Sequence, residues 1–211
     1  MAESATSGNV VVVSAPSGAG KTSLVRELRR TLSAVTVVVS HTTRDRRDGE
    51  VDGTNYHFID SKRFHAMVAA DEFVEHAEVF GNLYGTSRTE VKRVTQHNRH
   101  VILEIDWQGA AQIRASVRAC RSIFILPPSL ASLSDRLTGR GQDDADTIER
   151  RMAAARDEIS HYADFDYLVV NDNFSDALKV LAAIIKGRGD NHRMQTQRPL
   201  RQDLIKELLT S

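Results

Sequence analysis

The segment SAPSGAGKT, residues 14–22, constrains the possible fold more than any other part of the sequence. It follows a run of mainly β-branched residues at 9–14, which is typical of a strand buried on both faces. Apolar residues then recur at helical spacing over residues 21–32. A strand, a glycine-rich loop and a helix in this order direct main-chain N–H groups and a helix N-terminus into one concavity that binds phosphate. The segment therefore predicts an α/β fold with a phosphate-binding loop, or P-loop.

Ala15 departs from the usual P-loop pattern G-x-x-x-x-G-K-[ST], which has glycine at that position. The first position mainly leads the chain out of the strand, so alanine is compatible with it if φ stays negative. Gly18 and Gly20 occupy positions where a close approach to phosphate or a positive φ is expected. The candidate ATP-binding residues of the loop are Ala15, Pro16, Ser17, Gly18, Ala19, Gly20, Lys21 and Thr22. Lys21 would contact the β and γ phosphates, and Thr22 would ligate Mg²⁺.

The composition argues against a nucleic-acid-binding, disulfide-bonded or membrane-spanning protein. Lys plus Arg and Asp plus Glu number 28 each in a chain of 211 residues, so a charged ligand must be held by local clusters, and nucleic acid is not an expected partner. A single cysteine, Cys120, excludes an intramolecular disulfide and a cysteine-cluster zinc site. The chain has no basic leader and no apolar run of about 18 residues. We therefore expect a cytoplasmic protein that does not cross a membrane.

Further β-type runs occur at residues 35–40, 100–106, 121–126 and 167–171, with helical patterns between several of them. This alternation predicts a parallel sheet covered by helices. Two stretches interrupt it. Residues 41–97 combine turn-rich sequence with a short helix at 61–70 and a second helix opened by a capping box at Ser87 and Glu90, which indicates an inserted lobe.

Residues 139–160 begin with Gly139 and Gly141 and continue into an arginine-rich helix, which we interpret as a lid. The predicted core is then 9–40, 98–138 and 161–186, with the lobe at 41–97. After this domain of residues 1–186, residues 187–211 are predicted to form a basic linker and an amphipathic helix at 203–209.

Four segments resemble the guanylate kinases, particularly the bacterial enzymes, when they are taken together with GAGKT. They are SHTTRDRRDGEVDGTNY at 40–56, FVEHAEVFGNLYGTSR at 73–88, ILEIDWQGA at 102–110 and GRG at 139–141. The resemblance extends over nearly all of residues 10–186. It implies a nucleoside monophosphate kinase of three-layer P-loop fold, with a parallel five-stranded sheet, an inserted GMP-binding lobe and a helical lid. It also implies transfer of the γ-phosphoryl group of MgATP to GMP.

GMP carries a phosphate dianion at one end and the guanine N1–H and N2–H donors at the other, so its site needs cations and a carboxylate. Arg44 and Arg47 can bind the phosphate as guanidinium forks. The resemblance implies a GMP site formed by Ser40, Arg44, Arg47, Tyr56, Glu75, Tyr84, Thr86 and Glu104. Within it, Glu75 matches the carboxylate that contacts guanine N1 and N2. Many family members have Asp at the position of Glu104 and Ser at that of Thr86.

The attacking oxygen of GMP already belongs to a dianion, so no general base is required, and catalysis depends on alignment and charge neutralisation. The candidate catalytic residues are Lys21, Arg44, Arg140 and Arg151. Arg136 is a candidate on the ATP side, and Asn171 matches a family position near adenine. Asp106 ends an apolar strand, where either a water-mediated contact with Mg²⁺ or helix capping is expected.

Two alternatives come from other classes of protein. A ribose bisphosphate kinase shares the core, but the nearly complete set of guanine-binding residues argues against it. A noncatalytic guanylate-kinase-like binding module typically lacks loop or lid residues that are present in this chain. The expected ligands are ATP and GMP, and the sequence leaves dGMP as a further substrate and assembly into a homo-oligomer open.

Overall fold

A computed structural model describes residues 10–95, 100–117, 119–138 and 145–210. The strands are β1 (Val10–Ser14), β2 (Val35–Val37), β3 (His41–Thr42), β4 (His57–Phe58), β5 (Phe73–Val79), β6 (Asn82–Ser87), β7 (His100–Glu104), β8 (Cys120–Leu126) and β9 (Tyr167–Val170). The α-helices are α1 (Lys21–Thr31), α2 (Ser61–Ala69), α3 (Arg88–Thr95), α4 (Trp107–Ser116), α5 (Leu130–Thr138), α6 (Ala145–Ser160), α7 (Phe174–Ile185), α8 (Met194–Leu200) and α9 (Gln202–Thr210). Short 3₁₀ turns lie at His161–Asp164 and Asp190–His192.

A five-stranded sheet has the strand order β2-β7-β1-β8-β9. The registers of β2 with β7 and of β8 with β9 are parallel. All five residues of β1 are buried, as the uninterrupted β-branched run predicts for a central strand. The expected α/β fold with a parallel five-stranded sheet is confirmed.

A second sheet has the order β4-β3-β6-β5 and contains both parallel and antiparallel pairs. Its strands β5 and β6 form a hairpin with a two-residue loop, Phe80 and Gly81. Both loop residues have positive φ, 51° and 73°, which is the backbone of a type I′ turn and matches the twist of the two strands. The strand β5 lies at the edge of this sheet.

The chain divides into two compact units. The first unit contains the described residues up to Val12 and Ala34–Cys120, and so includes the second sheet and the helices α2, α3 and α4. The second unit contains Val13–Ser33 and the described residues from Arg121 onward, and so includes the P-loop. The predicted boundaries of core, lobe and lid stay a prediction.

Local sequence explains where several helices begin. Asp60 accepts a hydrogen bond from the Arg63 N–H at 2.7 Å and caps α2, and Asp106 accepts one from Gly109 at 2.8 Å and caps α4. At the predicted capping box, the Glu90 N–H lies 3.4 Å from Ser87 Oγ. Among the described residues, no helix has the length and apolarity needed to cross a lipid bilayer.

The C-terminal stretch differs from the expected linker, because it holds a 3₁₀ turn and the helix α8 before α9. The helix contains Pro199, which is why the sequence pattern did not indicate a helix here. The segment before α8 pairs with the last strand of the five-stranded sheet. Tyr167 and Arg193 form an antiparallel bridge, and the Met194 N–H donates to the Asp166 carbonyl at 2.8 Å.

Candidate functional site

The P-loop has the backbone that its sequence requires. Gly18 and Gly20 have φ of 88° and 91°, and a side chain at Gly20 would lie 2.5 Å from Nδ2 of Asn171. Ala15 is buried and does not adopt a positive φ, so its departure from the glycine pattern causes no strain. Helix α1 begins at Lys21, directly after the loop, and carries Thr22 in its first turn. The second unit thus contains a main-chain anion cradle followed by a helix N-terminus.

Two residues that the sequence assigned to ATP hold the main chain of this loop. Asn171 is 4% exposed, and its Nδ2 donates to the Ala19 carbonyl at 2.8 Å. Arg136 Nη1 lies 3.4 Å from the same oxygen, and its Nη2 donates to the Asn171 carbonyl at 3.2 Å. Both side chains therefore fix the shape of the loop in this structure, and their contact with nucleotide stays a prediction.

Glu158 also contacts the loop and was not found from the sequence. The Ser17 N–H donates to its Oε2 at 2.9 Å. Glu158 lies near the end of α6, and as one of four carboxylates in this helix it carries no distinguishing signal in the sequence. Arg151 lies two helical turns before it, about 10 Å along the axis and on the same helix face. Arg140, Gly139 and Gly141, which the sequence assigned to the lid, lie outside the described residues.

The predicted guanine-binding residues of the first unit form a row across three strands. The register of β5 with β6 places Glu75 opposite Thr86. The register of β3 with β6, extended by one residue, places Ser40 opposite Thr86 on the other side. Ser40 Oγ lies 3.1 Å from Thr86 Oγ1, which in turn donates to Glu75 Oε1 at 2.5 Å. Glu75 is 3% exposed and Thr86 is fully buried, so the row is largely shielded from water.

The direction of these hydrogen bonds follows from counting protons. An ionised carboxylate can only accept, so the single hydroxyl proton of Thr86 is used towards Glu75. Ser40 must then donate to Thr86. Both hydroxyl groups thus direct their protons towards the carboxylate while Glu75 is ionised.

Arg44 and two tyrosines form a cluster at the predicted phosphate side. The Arg44 guanidinium carbon lies 5.6 Å from the centre of the Tyr56 ring, and the Tyr56 and Tyr84 rings are 5.9 Å apart in an edge contact. Tyr84 is two residues from Thr86 on β6, so both side chains lie on one face of the sheet. The structure therefore brings the phosphate-side and guanine-side residues together within the first unit.

Glu50 orients Arg44 and was also missed by the sequence interpretation. Arg44 Nη2 donates to both carboxylate oxygens of Glu50, at 2.7 and 2.9 Å, and the Arg47 N–H donates to Glu50 Oε2 at 2.9 Å. Burial is the largest single effect on the pKa of Arg44 and lowers it. The hydrogen bond and charge of Glu50, with the smaller effects of Tyr84 and Tyr56, together outweigh burial and raise the pKa of Arg44. The side chain of Arg47 is exposed, so only its main chain is fixed by this contact.

The hydroxyl of Tyr56 stays protonated over the physiological pH range. Burial, followed by the negative charge of Glu104, raises the pKa of Tyr56 to about 12. This electrostatic coupling also places Glu104, at the end of β7, in the neighbourhood of the cluster. A protonated tyrosine is a hydrogen-bond donor suited to a phosphate oxygen.

Asp106 has the capping role that was one of its two expected functions. Its Oδ1 accepts the Gly109 N–H at the start of α4. The water-mediated contact with Mg²⁺ stays a prediction. The carboxylate of Asp106 and the hydroxyl of Thr22 are hard oxygen donors of the type that Mg²⁺ prefers, so the residue types fit this ion.

The comparisons with known proteins agree with this geometry. A family model described as guanylate kinase matches residues 7–188. A guanylate kinase of Alkalilimnicola ehrlichii is 55% identical over 202 residues, covering 96% of this chain and 98% of the relative. One of Escherichia coli K12 is 52% identical over 204 residues, with the same coverage.

A solved structure supports the same assignment at the level of the fold. The crystal structure of guanylate kinase from Anaplasma phagocytophilum has a TM-score of 0.71 and 30% identity, and covers 93% of this chain and 95% of its own. With the family model matching most of the sequence, and with relatives above 50% identity over nearly its whole length, the chain belongs to the guanylate kinase family.

Proposed function

We propose that this protein transfers the γ-phosphoryl group of MgATP to GMP, giving ADP and GDP. The observation that carries the proposal is the row of half-buried Ser40 and buried Thr86 and Glu75, beside the Arg44 and tyrosine cluster. It supplies a carboxylate and a guanidinium group on one small unit, as a purine monophosphate with a donor edge requires. Membership of the guanylate kinase family supports the same reaction.

The P-loop is proposed to hold the triphosphate of ATP. The N-terminus of α1 and the loop N–H groups other than those of Ser17 and Ala19, which already donate within the protein, would face the phosphate oxygens. Lys21 would add a charge at the β and γ phosphates. Thr22, with Asp106 through water, would hold Mg²⁺, which when bound neutralises charge on the phosphate oxygens. Asn171, Arg136 and Glu158 keep the loop in its binding shape through the contacts to Ala19 and Ser17.

The phosphate of GMP is proposed to bind Arg44, Arg47 and the hydroxyls of Tyr56 and Tyr84. Arg44 is already oriented by Glu50, so little side-chain entropy is lost when it binds a phosphate oxygen. The raised pKa of Tyr56 keeps its proton available for donation. The exposed Arg47 side chain would have to become ordered as GMP binds.

Glu75 is proposed to accept hydrogen bonds from N1–H and N2–H of guanine, with Glu104 on the N2 side. Adenine has an acceptor at N1, which would leave the buried carboxylate poorly paired and discriminate against AMP. Ser40 and Thr86 are proposed to contact O6. Because their protons point towards Glu75 in this structure, at least one hydroxyl must rotate when guanine binds. None of these contacts uses the 2′-hydroxyl, so dGMP is also a proposed substrate.

Catalysis is proposed to rest on alignment and on cations around the transferring group, namely Lys21, Arg44, Arg140 and Arg151. A lid formed by residues 139–160 would close over ATP and exclude water from the reacting phosphate. No base is needed, since the attacking group is already an anion.

A coupled ADP-release assay tests the proposal. Purified protein with MgATP is offered GMP, AMP, dTMP or ribose bisphosphate in turn. We expect turnover with GMP far above that with AMP or dTMP. Preference for ribose bisphosphate, or folded protein with no turnover of any acceptor, would refute the proposed function.

A further inference from the structure

The carboxylate of Glu75 rests directly against Gly109 in the first turn of α4. A methyl group on Gly109 would overlap Glu75 Oε2 and would lie 3.1 Å from its Cδ. Both residues are buried. The carboxylate therefore occupies space that is available only because residue 109 has no side chain.

Glu75 cannot easily move away from such a group. Its Oε1 accepts the Thr86 hydroxyl, which is itself fully buried. The backbone before Glu75 is irregular, because the register of β5 with β6 shifts between Phe73 and Glu75. The regular hydrogen-bond pattern between β5 and β6 therefore does not by itself fix the position of the Glu75 backbone.

A second contact from α4 fixes the strand next to Glu75. Gln112 Nε2 donates to the His76 carbonyl at 2.7 Å, and its Oε1 accepts the His76 N–H at 3.1 Å. These main-chain groups lie on β5, which is the edge strand of its sheet, so the side-chain amide replaces a neighbouring strand at this position. Gln112 is three residues after Gly109 and lies on the same side of the helix.

We infer that Gly109 and Gln112 are positioning residues that set the location of the Glu75 carboxylate and thereby the affinity for guanine. The inference rests on the proposed function of Glu75. Helix α4 positions Glu75 in two ways. Gln112 holds the backbone of β5 through His76, and the absence of a side chain at Gly109 leaves space for the carboxylate.

The decisive variant is Gly109→Ala. Relief of the overlap requires Glu75 to leave Thr86 or to turn away from guanine, so we expect KM for GMP to rise at least about tenfold. KM for ATP should stay within about twofold of the unmodified protein, because the group that an added methyl would overlap is the acceptor carboxylate. Asp106 Oδ1 would lie 3.3 Å from that methyl, so a shift of a few tenths of an ångström relieves this second contact. The exposed neighbour Ala111→Gly is the matched control, since it changes helix propensity without adding atoms and should leave both KM values unchanged.

A double-mutant cycle separates positioning from general damage. Glu75→Asp withdraws the carboxylate by one methylene, which makes room for a methyl group at residue 109. In that background, Gly109→Ala should change KM for GMP by less than about threefold, so the two effects are strongly non-additive. Additive effects, or equal rises in KM for GMP and ATP, would overturn the inference.

Gln112→Ala decides the matter if Gly109→Ala does not fold. This exposed side chain can be removed without overpacking, and we expect a rise of a few-fold in KM for GMP with KM for ATP unchanged. An unchanged KM for GMP in either folded variant would refute the positioning role alone. Absence of GMP turnover by the unmodified protein would instead refute the proposed function, and the inference with it.

Discussion

Removal of the Asn171 side chain should loosen the P-loop, and its cost can be estimated from the structure. In Asn171→Ala, the Ala19 carbonyl loses its 2.8 Å bond and keeps only Arg136 at 3.4 Å. Ala19 is fully buried, so water does not easily replace the lost donor. A fully unsatisfied buried acceptor costs about 1–3 kcal/mol, and the long contact with Arg136 makes this range an upper estimate. For a chain of this size, that should lower Tm by up to about 2–12 °C.

The same change should weaken the binding of nucleotide. If about 1–2 kcal/mol must be supplied to order the loop when ATP binds, KM for ATP rises about 5–30-fold. The donor base distinguishes two roles for Asn171. A residue that holds the loop affects every triphosphate equally, whereas a residue that contacts adenine affects ATP more than a donor with another base.

The assay therefore compares MgATP with MgITP at saturating GMP, in the unmodified protein and in Asn171→Ala. Asn173→Ala is the matched control, because this exposed asparagine caps α7 and its loss costs a similar free energy of unfolding without touching the loop. We expect equal losses with both donors and no change in KM for the control. A loss confined to ATP, or no loss at all, would refute the loop-holding role.

Three further variants test the site. Glu75→Gln should reduce the ratio of kcat/KM for GMP over AMP by about 10⁴, because an amide can pair with either base edge, and a retained ratio would contradict the guanine assignment. Arg151→Ala should lower kcat far more than it raises KM for GMP, whereas an unchanged kcat would remove Arg151 from catalysis. Burial, the neighbouring His57 and, to a smaller extent, Arg63 lower the pKa of His41 below its ordinary value of 6.5. The negative charge of Glu72 opposes this shift but does not cancel it. The neutral form of His41 is thus favoured on folding, and this contribution to stability is present above pH 6.5 and lost as the pH falls through the lowered pKa. Urea unfolding at pH 7.5 and 5.5 should show a smaller acid-induced loss in His41→Phe than in the unmodified protein, and equal losses would contradict this account.

The central part of the fold could be predicted because its signals are local. The buried run of β1, the glycine loop and the amphipathic α1 each carry a pattern within a few residues, and the five-stranded sheet followed from repeated strand runs. The second sheet could not be assembled in the same way. Its strands β3 and β4 have only two residues each, which is too short for any periodicity.

Site residues could be predicted where they belong to a complete sequence motif. They were missed where a single residue contacts the site from a distant position in the sequence. Glu158 contacts Ser17 from 141 positions away, and nothing near it in the sequence marks that contact. Glu50 lies within the predicted phosphate-binding segment, but its role depends on how the turn brings it to Arg44. The packing of Gly109 against Glu75 depends on the position of a helix beside an edge strand, which sequence spacing does not define.

The bridge between Arg193 and Tyr167 has a consequence for the composition of β9. This strand, YLVV, is the outermost member of the five-stranded sheet and is almost wholly apolar. An outer strand of that kind invites pairing with other molecules, and proteins often place lysine or proline in it to prevent this. Here the segment before α8 pairs with part of the exposed edge of β9 through the bridge between Tyr167 and Arg193. The Arg193 guanidinium also lies 5.4 Å from the centre of the Tyr167 ring. The strand can therefore retain the apolar side chains that pack in the core without exposing an edge that promotes aggregation.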